Sequence, residues 1–157
     1  MKMNTDESRQ FEHISTSICN SSEEVSVLLA REISDLIQSR NTDDLHTVLG
    51  LATGSTPIGI YRELVRLHRE EGLSFKKVLT FNLDEYHGLE PEHPESYAAF
   101  MDRHLFSLID IPSDATVVPD GKVPREDVFA YCKAYEERIS EAGGIDIQVL
   151  GIGRTGH

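Results

Sequence analysis

Three polar clusters in this chain have the residue types and spacing to do chemistry. The first follows the apolar run Thr47–Ala52 and reads Thr53-Gly54-Ser55-Thr56-Pro57. Proline suits the first position of a helix because its missing N–H would have no partner there, and Thr56 before it can cap the free amides. A strand that ends in small, hydroxyl-bearing residues at a helix N-terminus presents backbone N–H groups and a positive dipole end. That is a seat for a phosphate or carboxylate at Gly54, Ser55 and Thr56. Gly, Ser and Thr are equally common in ordinary strand-to-helix turns, and on this stretch alone the two readings stand level.

The second cluster closes another apolar strand, Lys77–Asn82, with Asp84 and Glu85 just beyond it. A carboxylate at a strand end serves as a general base if burial raises its pKa. Acidic residues also cap helices after such loops, and the residues alone favour that plainer role. The third cluster is Gly151-Ile-Gly153-Arg-Thr-Gly156 followed by His157. It has the G-x-G-x-x-G spacing of a dinucleotide fingerprint. It fails the context test, since that motif belongs to the first strand of a βαβ unit and must open a helix. His68, His87 and His93 read as surface or packing histidines.

The elements that position these clusters alternate between strand and helix. Residues 1–10 are polar and read as a disordered tail, and residues 11–157 as the folded part. A short strand is expected at Ile14–Cys19. Ser21 and Glu24 then have capping-box spacing, opening a helix to about Ser39 with Val25, Leu28, Leu29, Ile33, Leu36 and Ile37 on one stripe. A second helix runs from Pro57 to Gly72, and a third is expected over Glu95–Leu108. A short strand falls at Thr116–Val118. A helix from Pro124 carries Val128, Tyr131, Cys132, Tyr135 and Ile139 inward, and a buried strand Ile145–Ile152 follows. This alternation predicts an α/β fold with a mainly parallel sheet, whose ligands bind beyond the carboxyl ends of the strands.

With 157 residues the chain can bury a core, and a net charge of −12 argues against nucleic acid and anionic membranes, which reward Lys and Arg. Cys19 and Cys132 lack metal-ligand spacing and read as two reduced thiols, so no metal is expected. The N-terminus lacks the apolar run of a signal peptide, and no stretch approaches a membrane span; a cytoplasmic protein is the expectation.

In register, Leu49–Pro57, Ser74-Phe-Lys, Thr80–Tyr86 with Gly88-Leu89, His93-Pro-Glu-Ser-Tyr97 with Met101, and Gly151–Gly153 with Gly156-His157 closely resemble the glucosamine-6-phosphate deaminases. The Asp-Glu-Tyr and His-Pro-x-Ser-Tyr blocks are those of the deaminase branch; the related 6-phosphogluconolactonases usually carry Arg at the place of Tyr86. The resemblance implies a three-layer, Rossmann-like α/β sandwich shared with ribose-5-phosphate isomerases and CoA transferases. It implies conversion of glucosamine 6-phosphate and water to fructose 6-phosphate and ammonia, in amino-sugar (N-acetylglucosamine) catabolism, with no cofactor. Gly54, Ser55 and Thr56 would hold the phosphate of this small-molecule substrate, Asp84 would move the proton between C2 and C1, and His157 would assist ring opening. Glu85 and Thr155 would support them. A homo-oligomer is also implied.

Two departures qualify the resemblance. The family usually has Asp where Thr155 stands, and threonine cannot stabilise an imidazolium by charge. The family also continues well past the histidine, so residues 11–157 would be the N-terminal portion of a deaminase-like domain, inactive as a fragment. A non-catalytic sugar-phosphate-binding module of the same fold is the alternative, and a lactonase a more distant one.

Overall fold

The computed structural model describes residues 15–153, 155 and 156. The tail expected at residues 1–10 and the site residue His157 lie outside them. The elements in order are α1 (Ser22–Thr42), β1 (Thr47–Leu51), α2 (Ile58–Glu71), β2 (Val78–Asn82), α3 (Tyr97–His104), β3 (Thr116–Val117), α4 (Val128–Glu141) and β4 (Ile147–Gln148). The sheet is parallel throughout, ordered β3-β2-β1-β4, with Leu49 opposite both Thr80 and Ile147.

β1 is central and buried at all five positions. Its side chains alternate between two cores, as the pleat requires. Leu49 and Leu51 meet Ala30, Ile33 and Ile37 of α1 and Ile60, Tyr61 and Leu64 of α2, while Val48 meets Phe81 and Val117 on the other face. Helices α1, α2 and α3 share the first face. The step from β3 back across the sheet to β4 reverses direction, so a right-handed crossover must pass over the opposite face. There α4 lays Tyr135 and Ile139 against Phe81, the Phe81 and Tyr135 rings meeting edge-on at 5.7 Å. The result is the three-layer α/β arrangement expected.

The predicted capping box forms at α1. Ser21 Oγ accepts from Glu24 N at 3.1 Å, and the Glu24 carboxylate reaches back to Asn20 N at 2.9 Å.

Several boundaries differ from expectation, each for a local reason. Residues 15–19 form no strand: both sides of β1 are already taken, and Ile18 stands in solvent. Helix α2 begins at Ile58, so Pro57 rather than Thr56 occupies the cap, and it offers no side-chain acceptor. Helix α3 ends at His104 because Ser107 Oγ donates to Asp102 O at 2.6 Å, the carbonyl that a continuing helix would give to Phe106. Helix α4 begins at Val128 rather than Pro124, and its inward line is Tyr135, Ile139 and Ala142. Cys132 is exposed, and Val128 lies over a surface cavity instead of the core.

The largest difference concerns the last strand. Only Ile147–Gln148 pair, and Leu150 and Ile152 are exposed by 70% and 82%. Among the described residues β4 has a strand on one side only, and a groove of about 610 Å³ lies between it and α1. Its start is fixed by Asp146, whose carboxylate accepts from Val48 N at 2.8 Å and pairs with Arg40 at 3.0 Å.

Tyr61 ties this fold to its functional edge. It is fully buried in α2, and its hydroxyl donates to Ala52 O, the last carbonyl before the Thr53–Thr56 turn. Burial pushes its phenol well above the ordinary range, so it stays a donor. Tyr61→Phe leaves that buried carbonyl unpaired and should cost ~1–3 kcal/mol in urea denaturation, with no loss of ring packing.

Candidate functional site

The described residues of the three polar clusters emerge at one edge of the sheet, because β2 and β4 flank β1 in parallel. The Gly54–Thr56 turn is exposed there. Gly54 has φ +98°, with nothing within 4 Å of where a Cβ would stand, so backbone conformation rather than crowding calls for glycine. The first turn of α2 carries no acidic residue to oppose an anion.

The other helix start at this edge is differently furnished. The Glu85 carboxylate accepts from Tyr97 N at 2.8 Å and Ala98 N at 2.9 Å, and also from Tyr86 N at 2.8 Å. Ser96 Oγ takes Ala99 N at 3.0 Å. The opening amides of α3 are therefore already satisfied by side chains. Glu85, whose supporting role the resemblance implied, docks the loop after β2 onto α3.

Asp84 lies exposed just beyond β2 and lines a cavity of about 320 Å³ with Leu83, His87 and Tyr131. Thr56 and Gly151 line the separate groove beside β4. Thr155 is exposed in the turn after it. The structure thus brings the clusters to one edge without enclosing them in one cavity.

Tyr97 stands beside the second cluster, its ring packed against Tyr86 at 4.7 Å. The Tyr86 hydroxyl and then burial push its phenol up to about 12, and the Asp84 carboxylate adds a smaller upward effect. Sequence periodicity made Tyr97 only an inward-facing helical residue. Its place as the first residue of α3, after the Ser96 cap, was the available signal.

Comparison with known proteins fits this arrangement. The family model described as glucosamine-6-phosphate isomerases/6-phosphogluconolactonase matches residues 20–157. The chain belongs to this family. It is 50% identical to the glucosamine-6-phosphate deaminase of Geobacillus sp. (strain WCH70), over 82% of this chain and 51% of that protein. It is 48% identical to glucosamine-6-phosphate deaminase 2 of Bacillus subtilis (strain 168), over 86% of this chain and 52% of that protein. The chain therefore spans about half the length of these relatives. Among solved structures, a monomeric glucosamine-6-phosphate deaminase of the NagB superfamily aligns at TM-score 0.82 and 44% identity, covering 88% of this chain and 55% of that one. The 6-phosphogluconolactonase of Trypanosoma brucei aligns at TM-score 0.69 and 22% identity, over 90% of this chain and 60% of that one, a likeness of fold. The homo-oligomer implied by the resemblance gains no support from a monomeric neighbour. No helix among the described residues is long and apolar enough to cross a membrane.

Gly121 holds the Asp84 loop from the far side. It accepts from Gly88 N at 2.6 Å, and a Cβ there would press into Tyr86 O and stand 2.9 Å from Leu89 O. Both are backbone atoms and cannot swing away. Gly121→Ala should lower stability by ~1–3 kcal/mol and shift the NMR resonances of Tyr86 and Gly88.

Proposed function

We propose that the whole protein is a glucosamine-6-phosphate deaminase, converting glucosamine 6-phosphate and water to fructose 6-phosphate and ammonia. The observation that carries this reading is the placement of Gly54–Thr56 and Asp84 just beyond the ends of adjacent parallel strands, Leu51 opposite Asn82, in a chain half identical to a named deaminase. The reaction needs a proton moved between C2 and C1 of the open-chain sugar. It therefore needs a carboxylate beside the reacting carbons and an anchor for the phosphate at the other end.

In this reading Asp84 takes the C2 proton and returns it at C1. The amides at Gly54, Ser55 and Thr56 hold the phosphate, helped by the unopposed positive end of α2. The amine leaves from C2 as ammonia once the double bond has shifted and water has added. His157 assists opening of the sugar ring, with Thr155 orienting its imidazole through a hydrogen bond. The base is Asp84 rather than Glu85, whose two oxygens are engaged by three amides. The chemistry calls for neither metal nor organic cofactor, and the substrate is a small sugar phosphate acted on in the cytoplasm.

One observation favours a second reading. Thr155 replaces an acidic residue with one that cannot carry charge, which suits a domain that binds a sugar phosphate without turning it over. A lactonase is less well supported, since Tyr86 stands where lactonases usually have Arg.

Two substitutions separate these readings in the whole protein. Asp84→Asn should leave binding of the sugar phosphate nearly intact and lower ammonia release at least ~100-fold. Activity that survives it would place the base elsewhere. Thr155→Asp adds a carboxylate beside the imidazole and should raise the pKa of His157 in an NMR titration, extending its charged form to higher pH. In a slow deaminase the same change should speed ring opening, whereas a binding module would show the pKa rise without turnover.

A further inference from the structure

Asn82 ends β2, two residues before Asp84, and is only 2% exposed. Its register partner is Leu51, the last residue of β1, so the pleat puts both on the face of α1–α3. Asn82 Nδ2 donates to Leu51 O at 3.3 Å, and Leu83 N donates to the same carbonyl at 3.3 Å. A carbonyl can only accept, so the amide nitrogen must face it. Asn82 Oδ1 is then left buried without a partner among the described residues. From α4, on the opposite face, the Tyr135 hydroxyl reaches Asn82 O at 2.8 Å and Val117 O at 3.2 Å. The ends of β1, β2 and β3 are thus tied across the sheet at one residue.

We propose that Asn82 is a positioning residue that fixes the exit of β1, leading to the phosphate seat, against the exit of β2, leading to the base. This rests on the deaminase reading given above. Stability alone does not call for an amide here. Leu51 O already has Leu83 N as a donor, and the orphaned Oδ1 is a cost that a leucine of similar size would remove. What leucine cannot supply is a second directional bond where the strands part. With one donor the two strand ends can hinge about the shared carbonyl, whereas donors from consecutive residues set the angle between them. Asp84 follows Leu83 directly, so that angle decides where its carboxylate stands relative to Gly54–Thr56. The phosphate and the reacting carbons lie at different places on the sugar, so an error in the angle weakens neither contact alone. It spoils their simultaneous use, which is a loss of rate rather than of affinity.

The test is made in the whole protein with Asn82→Leu. The expected result is a fall in kcat of about 10- to 100-fold. Inhibition by inorganic phosphate should be unchanged, and the thermal midpoint should stay at the parent's value or rise. Amide hydrogen exchange at Leu83 should accelerate at least ~10-fold as the junction loosens. Should that variant fail to fold, Tyr135→Phe releases Asn82 O from the opposite face and carries the same expected fall in kcat. Parent kcat in whichever variant folds overturns the positioning role. So does unchanged exchange at Leu83, whatever the kinetics. A midpoint and a phosphate inhibition that both decline in step with kcat make Asn82 a structural support, and the proposal falls. Asp84→Asn checks the underlying reading separately. Activity that survives it overturns the base and the proposal together, whereas its loss beside a parental kcat in Asn82→Leu overturns the proposal alone.

Discussion

Everything at the functional edge depends on β1 having a parallel neighbour on each side. A strand so placed must satisfy its backbone in both directions and bury both faces, and Thr47–Leu51 does so with five consecutive buried residues. That double pairing sets the register of β2 and β4. Register in turn sets where Asp84 and the glycine-rich loop leave the sheet. Handedness then does the rest: once strand order reverses at β1, α4 can only cross on the face opposite α1–α3. The crevice at the reversal is a consequence of chain geometry before any side chain is considered.

Side chains decide which helix start is available to a ligand. Of the helices that open at this edge, α2 and α3 follow the two best-paired strands, and both present amides and a positive dipole end. At α3 the Glu85 carboxylate and the Ser96 hydroxyl occupy those amides, so its polarity is spent on holding the loop in place. At α2 the cap is a proline without an acceptor, and the first turn has no acid. Two like features thus have unlike uses: one start is a joint and the other is left for an anion. The distinction rests on a single carboxylate placed three residues beyond the end of β2.

The sequence was most legible where one periodicity dominated. β1 and β2, the cap at Ser21 and the stripe of α1 were readable because burial on both faces, or on one helical line, leaves a strong pattern. The last strand was misread for the same reason. Its apolar run, Ile145–Ile152, signals a strand buried on both sides, yet here one side has no partner and only Ile147–Gln148 pair. Apolar content records what a segment is built to meet, whereas pairing records what it meets in this chain. At the site, Gly54–Thr56 and Asp84 stood out because polar residues at strand ends are conspicuous. Tyr97 did not, since a tyrosine on a helix reads as packing. Only the fold shows that the first residue of α3 is held by the Glu85 carboxylate and stacks on Tyr86.

The acidic character of the chain bears on how an anion is held. The charge of −12 would repel a phosphate in proportion to how much of it faces the site, and several of its cations are committed to ion pairs. Arg31 makes a two-pronged contact with Glu71 at 2.6 and 2.7 Å, and Arg66 spans Glu63, Glu70 and Glu71; together they hold the Glu71 carboxyl down to about 2. Lys77 pairs with Asp44, Lys122 with Glu90, and Arg40 with Asp146. Most of these pairs neutralise local charge at the flanks of α1 and α2 and at the start of the strands, while Lys122–Glu90 does so beside the loop after β2. What remains at that edge is backbone polarity: amides at a turn whose glycine adopts positive φ and whose helix begins without a side-chain cap. Such a seat depends on geometry more than on net charge, which is how an acidic protein can offer a place for a phosphate.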